Sequence, residues 1–163
     1  VIKGNYPRNI FARNDEYIEA MRALWQGPHA EYHGDFVDFE PATCSPRPVN
    51  GSIPIIVGGD SDAAISRAVR IADGYFPGEG DIAQLGALLN RVRQAAEAAG
   101  RDPASIEFSA IFGSQMANPE QGVEEMASIG VDRIMVPAFF FGGPEGLDHL
   151  DQLSERIMPI ANG

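Results

Sequence analysis

The segment of this 163-residue chain that is best suited to hold a ligand follows a short apolar run, Ile53 to Gly59. Gly58 and Gly59 end the run, and Asp60 or Ser61 can cap a helix that begins at once. Glycines let a ligand approach the backbone, and the free N–H groups of a helix start attract an anion. The pattern indicates a phosphate-like group here, although any strand–helix turn favours these residues. An Asp at the cap would also repel an anion unless its side chain points away.

A second candidate group follows the next predicted strand. Phe76, Pro77 and Gly78 lie where barrel enzymes shape their substrate pocket, and packing at the end of a barrel explains the same residues equally well. Glu79 and Asp81 could act as an acid–base pair, but loop carboxylates in an acidic chain are mostly solvated. Of the two interpretations of Phe76, Pro77 and Gly78, we adopt the substrate pocket as the prediction.

Composition argues against several classes of function. The chain has 12 basic and 23 acidic residues and a formal net charge of −11, which disfavours binding to nucleic acid or anionic lipid. No apolar stretch approaches the ~18 residues that a membrane helix needs. The single cysteine, Cys44, excludes an internal disulfide and favours a reducing cytoplasm. No metal site is expected, because no metal-ligand spacing joins the histidines, which are His29, His33 and His149.

The elements that must position these candidates alternate regularly. An amphipathic helix, Asn14 to Gln26, precedes residues 27–52, whose aromatics around Gly34 predict a hairpin followed by a Pro-rich loop. Four strand–helix units follow. The predicted strands are Ile53 to Gly59, Asp73 to Phe76, Ile106 to Phe112 and Arg133 to Val136. The predicted helices are Ser61 to Ala72, Ile82 to Ala99, Pro119 to Ser128, which Asn118 would cap, and Pro144 to Ile160. This order predicts an α/β fold with a parallel sheet and right-handed crossovers.

Four strand–helix units leave the sheet unclosed. They form either an open sheet or half of an eight-stranded (β/α)8 TIM barrel, whose bare edges would need a partner. The chain begins with Val1 rather than Met, which favours the half-barrel interpretation. We expect a single domain over residues 1–163 with residues 27–52 inserted before the first barrel strand. The partner would be an N-terminal half-barrel or a second copy of the chain.

The combination of several motifs resembles one protein family. The motifs are DEYIEAMRALWQG, the excursion EYHGDFVDFEPATCSPRPVNGSIPIIVGG, the segment SDAAISRAVRIADGYFP, and Gly-Arg-Asp-Pro at residues 100–103. Together they resemble the luciferase-like monooxygenase superfamily of flavin- and F420-dependent oxidoreductases. This resemblance implies a (β/α)8 barrel in which the four strands of this chain are the fifth to the eighth.

The resemblance also implies a cofactor, FMN or coenzyme F420, with F420 slightly favoured. Its phosphate region would contact Gly58, Gly59, Asp60 and Ser61, with Val57 against the ring system. The implied function is hydride transfer to or from a small organic substrate. No catalytic residue is assigned, because in such enzymes much of the cofactor contact comes from the first four strands.

A different class of function remains open. The chain could be a non-catalytic half-barrel that binds flavin weakly or serves as an assembly module. Phe139, Phe140 and Phe141 follow the last strand, and three adjacent aromatics cannot all point inward. At least one faces a partner, a pocket or another helix, and we expect a homo-oligomer.

Overall fold

Five helices and six strands form in the computed structural model, which describes residues 10–161. The helices are α1 (Ile10–Gln26), α2 (Asp62–Ile71), α3 (Ile82–Ala98), α4 (Pro119–Ser128) and α5 (Gly146–Ala161). The strands are β1 (Ala30–His33), β2 (Asp38–Ala42), β3 (Ile56–Gly58), β4 (Gly74–Phe76), β5 (Glu107–Ile111) and β6 (Arg133–Met135). Contacts divide the chain into two compact units, residues 1–55 and residues 56–163. None of the helices within the described range is long and apolar enough to cross a membrane.

In the first unit, a carboxylate on α1 organises the predicted hairpin. Strands β1 and β2 pair antiparallel, and Glu16 accepts hydrogen bonds from the backbone N–H groups of Asp35, Phe36 and Val37 at 3.1, 2.6 and 2.5 Å. A Cβ atom added at Gly34 would collide with the Glu16 carboxylate, so a larger residue here would displace that carboxylate. One side chain therefore satisfies three backbone donors that the turn leaves without strand partners.

In the second unit, four parallel strands lie side by side in sequence order, β3-β4-β5-β6. Connections between neighbouring parallel strands are almost always right-handed, which puts the connecting helices of such a sheet on one face. Val57, Tyr75, Phe108 and Ala110 are buried on that face. They meet the apolar sides of the helices, which bury Ala64, Ile65, Ala68, Val69, Leu85, Leu88, Leu89, Val92, Ala96, Val123, Met126, Leu153 and Ile157. The α/β fold with four parallel strands is confirmed.

The opposite face of this sheet is much more open. Phe76 and Ile111 are half-buried there, and Met135 on the last strand is 50% exposed. The same face carries an ion pair between Arg133 and Glu107 at 2.9 Å, placed at the start of β6 and β5. In the described residues, the helices thus cover one face of the sheet, and the other face is more exposed.

One local prediction is wrong. Asn118 precedes α4, as the sequence indicated, but its side chain makes no capping hydrogen bond. The backbone enters α4 directly from a short 3-10 helix, Ser114–Ala117, and the N–H of Asn118 bonds to the Gln115 carbonyl of that helix. The approach of the chain therefore differs from the extended entry that a capping side chain requires.

We expect Glu16→Ala to loosen the hairpin turn, because three N–H groups lose their acceptor. Amide hydrogen exchange at Phe36 and Val37 should accelerate about tenfold or more. Glu31→Ala, which removes an exposed carboxylate from β1 of the same hairpin, is the control. Unchanged exchange at both amides in the Glu16 variant would contradict this account of the turn.

Candidate functional site

The turn after β3 leaves its backbone uncovered. Gly58 pairs with Phe76 of β4, and the N–H of Gly59 bonds to the Phe76 carbonyl at 3.3 Å. Gly59 has a φ of +110°, which L side chains rarely adopt, and Gly58 and Gly59 are both exposed. A Cβ atom at Gly58 would lie only 3.1 Å from the Phe76 oxygen. This turn is therefore a place where a ligand can approach the main chain directly.

The start of α2 supplies hydrogen-bond donors beside that turn. Ser61, rather than Asp60, is the cap, and its Oγ accepts the N–H of Ala64 at 3.2 Å. The hydroxyl proton of Ser61 is still available to donate, since a hydroxyl both accepts and donates. The N–H groups of Asp62 and Ala63 belong to the first helical turn and have no acceptor within the helix. These groups, with the positive end of the helix dipole, suit an anion.

Asp60 does not direct its carboxylate at the helix start. Its Oδ1 accepts the backbone N–H of Gly78 at 2.9 Å, in the loop that follows β4. The bond therefore joins the turn after β3 to the loop after β4. Asp60 therefore does not act as the cap of α2, and its carboxylate has a partner in the neighbouring loop.

Tyr75 on β4 forms a hydrogen bond with the same turn from inside the core. Its side chain is fully buried, and its hydroxyl donates a hydrogen bond to the Gly59 carbonyl at 2.7 Å. Burial raises the pKa of Tyr75 to about 12, and the charge of Asp60 adds to the rise while Arg91 opposes it. Sequence reasoning missed this residue, although a buried tyrosine usually implies a partner for its hydroxyl.

Of the remaining predicted residues, two have buried side chains and two are at least partly exposed. The side chain of Val57 is buried with the helix layer, so only its backbone is near the turn. Pro77 is also fully buried. Phe76, half-buried at the end of β4, lies on the open face, and Gly78 is exposed and bonded to Asp60. The structure thus brings Gly58, Asp60 and Gly78 together at the carboxyl ends of β3 and β4.

The carboxylates proposed as an acid–base pair instead shape the loop after β4. Glu79 Oε1 accepts the N–H groups of Gly80 and Asp81, both at 2.8 Å. Asp81 caps α3 by accepting the N–H of Gln84 at 3.0 Å. Gln115 is buried and donates to the Gly80 carbonyl at 3.1 Å, a contact that the sequence did not reveal. The carboxylate oxygens thus serve backbone donors in this structure.

A groove of about 840 Å³ lies between the surfaces of α2 and α3. It is lined in part by Arg70, Arg91 and Arg101. Arg101 donates to two carbonyls in the last turns of α2, and Arg91 pairs with Asp62. These bonds tie helices together, and the groove lies on the helix surfaces rather than at the glycine turn.

Comparison with known proteins places these features in context. A family model described as luciferase-like monooxygenase matches residues 4–156. An uncharacterized protein of Mycobacterium tuberculosis is 38% identical over 125 residues, covering 76% of this chain and 41% of that relative. An FMNH2-dependent dimethylsulfone monooxygenase of Pseudomonas putida is 33% identical over 91 residues, covering 55% of this chain and 25% of that enzyme. The chain thus spans less than half the length of these relatives.

Solved structures give the same fold. A coenzyme F420-dependent tetrahydromethanopterin reductase from Methanopyrus kandleri superposes with a TM-score of 0.66 at 16% identity, over 86% of this chain and 60% of that one. An F420-dependent secondary alcohol dehydrogenase, solved with an F420-acetone adduct, gives 0.68 at 13% identity, over 95% and 64%. At such identities the likeness concerns the fold alone. The match of the family model over nearly all of the sequence shows that this chain belongs to the luciferase-like monooxygenase family.

Proposed function

We propose that this chain is part of a flavin- or F420-dependent oxidoreductase and that its glycine turn, residues 58–61, holds the phosphate of the cofactor. The observation that carries the proposal is the bare backbone of Gly58 and Gly59 beside the donors of the first turn of α2. One sequence relative is an FMNH2-dependent enzyme, and the proteins of similar fold include F420-dependent enzymes. Both cofactors carry a phosphate at the end of the ribityl chain. When bound, such a cofactor supplies hydride transfer to or from a small organic substrate.

The residues of this chain bind and orient. Ser61 donates its hydroxyl proton to a phosphate oxygen, and the adjacent N–H groups of the helix start donate to the others. Gly59 leaves room for the phosphate, and Val57 contributes its backbone. Phe76, on the open face, forms an apolar wall against the ring system or the substrate, next to Pro77 and Gly78. We assign no catalytic residue to this chain.

Two observations support a site that is completed by further strands. Strands β3 and β6 are the edges of a four-stranded sheet in the described residues, and the face that carries Phe76 and Met135 is partly exposed. The relatives are also longer than this chain. We propose that an N-terminal half-barrel of four further units completes a (β/α)8 domain, with residues 27–52 as its insertion. A second copy of this chain is the other possible source. The complete protein would be a cytoplasmic homo-oligomer.

We expect Ser61→Asp to weaken the binding of FMN and F420 about tenfold or more, because it places a carboxylate next to a phosphate. Asp caps a helix as well as Ser does, so the fold should keep its stability. Ser61→Asn is the matched control, because it is an equally good cap without the charge. The measurement is fluorescence titration of the complete protein with each cofactor. Position 61 is a cleaner site for this test than Gly59, whose positive φ would strain any side chain.

Equal affinity in the Asp and Asn variants at position 61 would show that the phosphate lies elsewhere. If the unaltered complete protein bound neither FMN nor F420, the redox function itself would be excluded. The chain would then be an assembly module without a cofactor.

Completion of the barrel predicts an unequal response at two methionines. Met135 on β6 and Met21 on α1 are similarly exposed in this chain, at 50% and 40%. In a closed barrel Met135 faces the interior, so Met135→Lys should lower the unfolding free energy of the complete protein by about 2–4 kcal/mol, and Met21→Lys by far less. Urea denaturation measures both. Equal losses would argue that no further strands cover β6.

A further inference from the structure

The peptide group between Gly59 and Asp60 is held in one orientation by a contact from the core. Tyr75 is 0% exposed, and its hydroxyl donates to the Gly59 carbonyl at 2.7 Å. In a planar trans peptide the carbonyl and the following N–H point in opposite directions. Because the Gly59 oxygen is directed toward the buried hydroxyl, the N–H of Asp60 is directed away from the core. It becomes a further donor on the exposed side of the turn.

A second contact fixes the turn from the side. The carboxylate of Asp60 accepts the N–H of Gly78 at 2.9 Å, which ties it to the neighbouring loop. The carboxylate is therefore engaged by the loop after β4, while Ser61 rather than Asp60 caps α2. Without this bond the exposed carboxylate would be free to cap the N–H groups that open α2 and to compete with an anionic ligand.

We propose that Tyr75 and Asp60 are positioning residues, which hold the glycine turn in the conformation that accepts a phosphate before the cofactor arrives. Neither side chain touches the phosphate, and both act through the backbone of residues 59 and 60. This inference rests on the proposed function, since it needs a phosphate at this turn. Preorganised donors bind more tightly because no ordering cost is incurred on binding.

The Tyr75 bond is independent of pH over the range in which enzymes are assayed. The pKa of Tyr75, about 12, keeps its hydroxyl protonated and able to donate. The positioning of the Asp60 N–H should therefore be constant from pH 6 to pH 9. Any change of cofactor affinity in that range has another origin.

We expect Tyr75→Phe to reduce the advantage that the phosphate gives to the cofactor. In the complete protein, FMN binding should weaken about fivefold, and binding of riboflavin, which lacks the phosphate, should not change. If the protein binds F420 instead, the phosphate-free deazaflavin takes the place of riboflavin. Tyr32→Phe is the matched control, because it removes a hydroxyl bonded to Glu19 at 2.8 Å in the hairpin. The control should leave the ratio of the two affinities unaltered.

Asp60 gives a second, independent pair of variants. Asp60→Asn keeps an oxygen that can accept the Gly78 N–H and removes the charge, so FMN should bind at least as tightly as before. Asp60→Ala removes the acceptor, and FMN binding should weaken about threefold to fivefold with riboflavin binding unchanged. The two substitutions thus separate the bond from the charge.

The outcomes distinguish this inference from the function on which it rests. If the unaltered protein prefers FMN to riboflavin and Tyr75→Phe keeps that preference, the positioning role is wrong and the phosphate site stands. Equal weakening of both ligands also overturns it, since the tyrosine would then support the fold in general. If the unaltered protein does not distinguish the two ligands, the phosphate site fails and this inference with it.

Discussion

The parallel, sequential order of the four strands in the second unit determines where the candidate site lies. Each strand pairs in parallel with the next one along the chain, so the carboxyl ends of all four strands lie on the same side of the sheet, and the usual right-handed connection puts the helices on one face. The turn after β3 and the loop after β4 therefore become neighbours, which is why Asp60 can reach Gly78. Among the described residues, the same order leaves β3 and β6 at the two edges of the sheet and one face exposed.

The candidate site uses the main chain where many anion sites use arginine or lysine. The chain has a net charge of −11, yet the turn offers N–H groups, a hydroxyl and a helix dipole. Two carboxylates lie at this turn, and each has a partner: that of Asp60 accepts the Gly78 N–H, and that of Asp62 pairs with Arg91. The guanidinium of Arg91 also lies at the start of α2, but it is paired with the Asp62 carboxylate, so the donors that the turn offers are N–H groups and a hydroxyl. Membership of the luciferase-like family and the local geometry are thus consistent.

The elements of the fold were predictable because they depend on short-range patterns. The apolar run that ends at Gly59, the cap at Ser61 and the stop after α3 at Gly100, whose φ is +74°, are all local signals. The contacts that shape the site were not predictable, because they join residues far apart in sequence through the register of the strands. The bond between Tyr75 and Gly59 spans 16 residues, and that between Gln115 and Gly80 spans 35. No local pattern states where those side chains point.

The buried position of Tyr75 has a consequence for how such a protein can diversify. The turn at residues 58–61 is fixed by a hydrogen bond from a side chain that is buried between the sheet and the helices, and not by the outer loops alone. The segments that follow β5 and β6 can therefore change in length and sequence without breaking this bond. If the turn holds a cofactor as proposed, new substrates could be accommodated by remodelling those segments without altering the cofactor site.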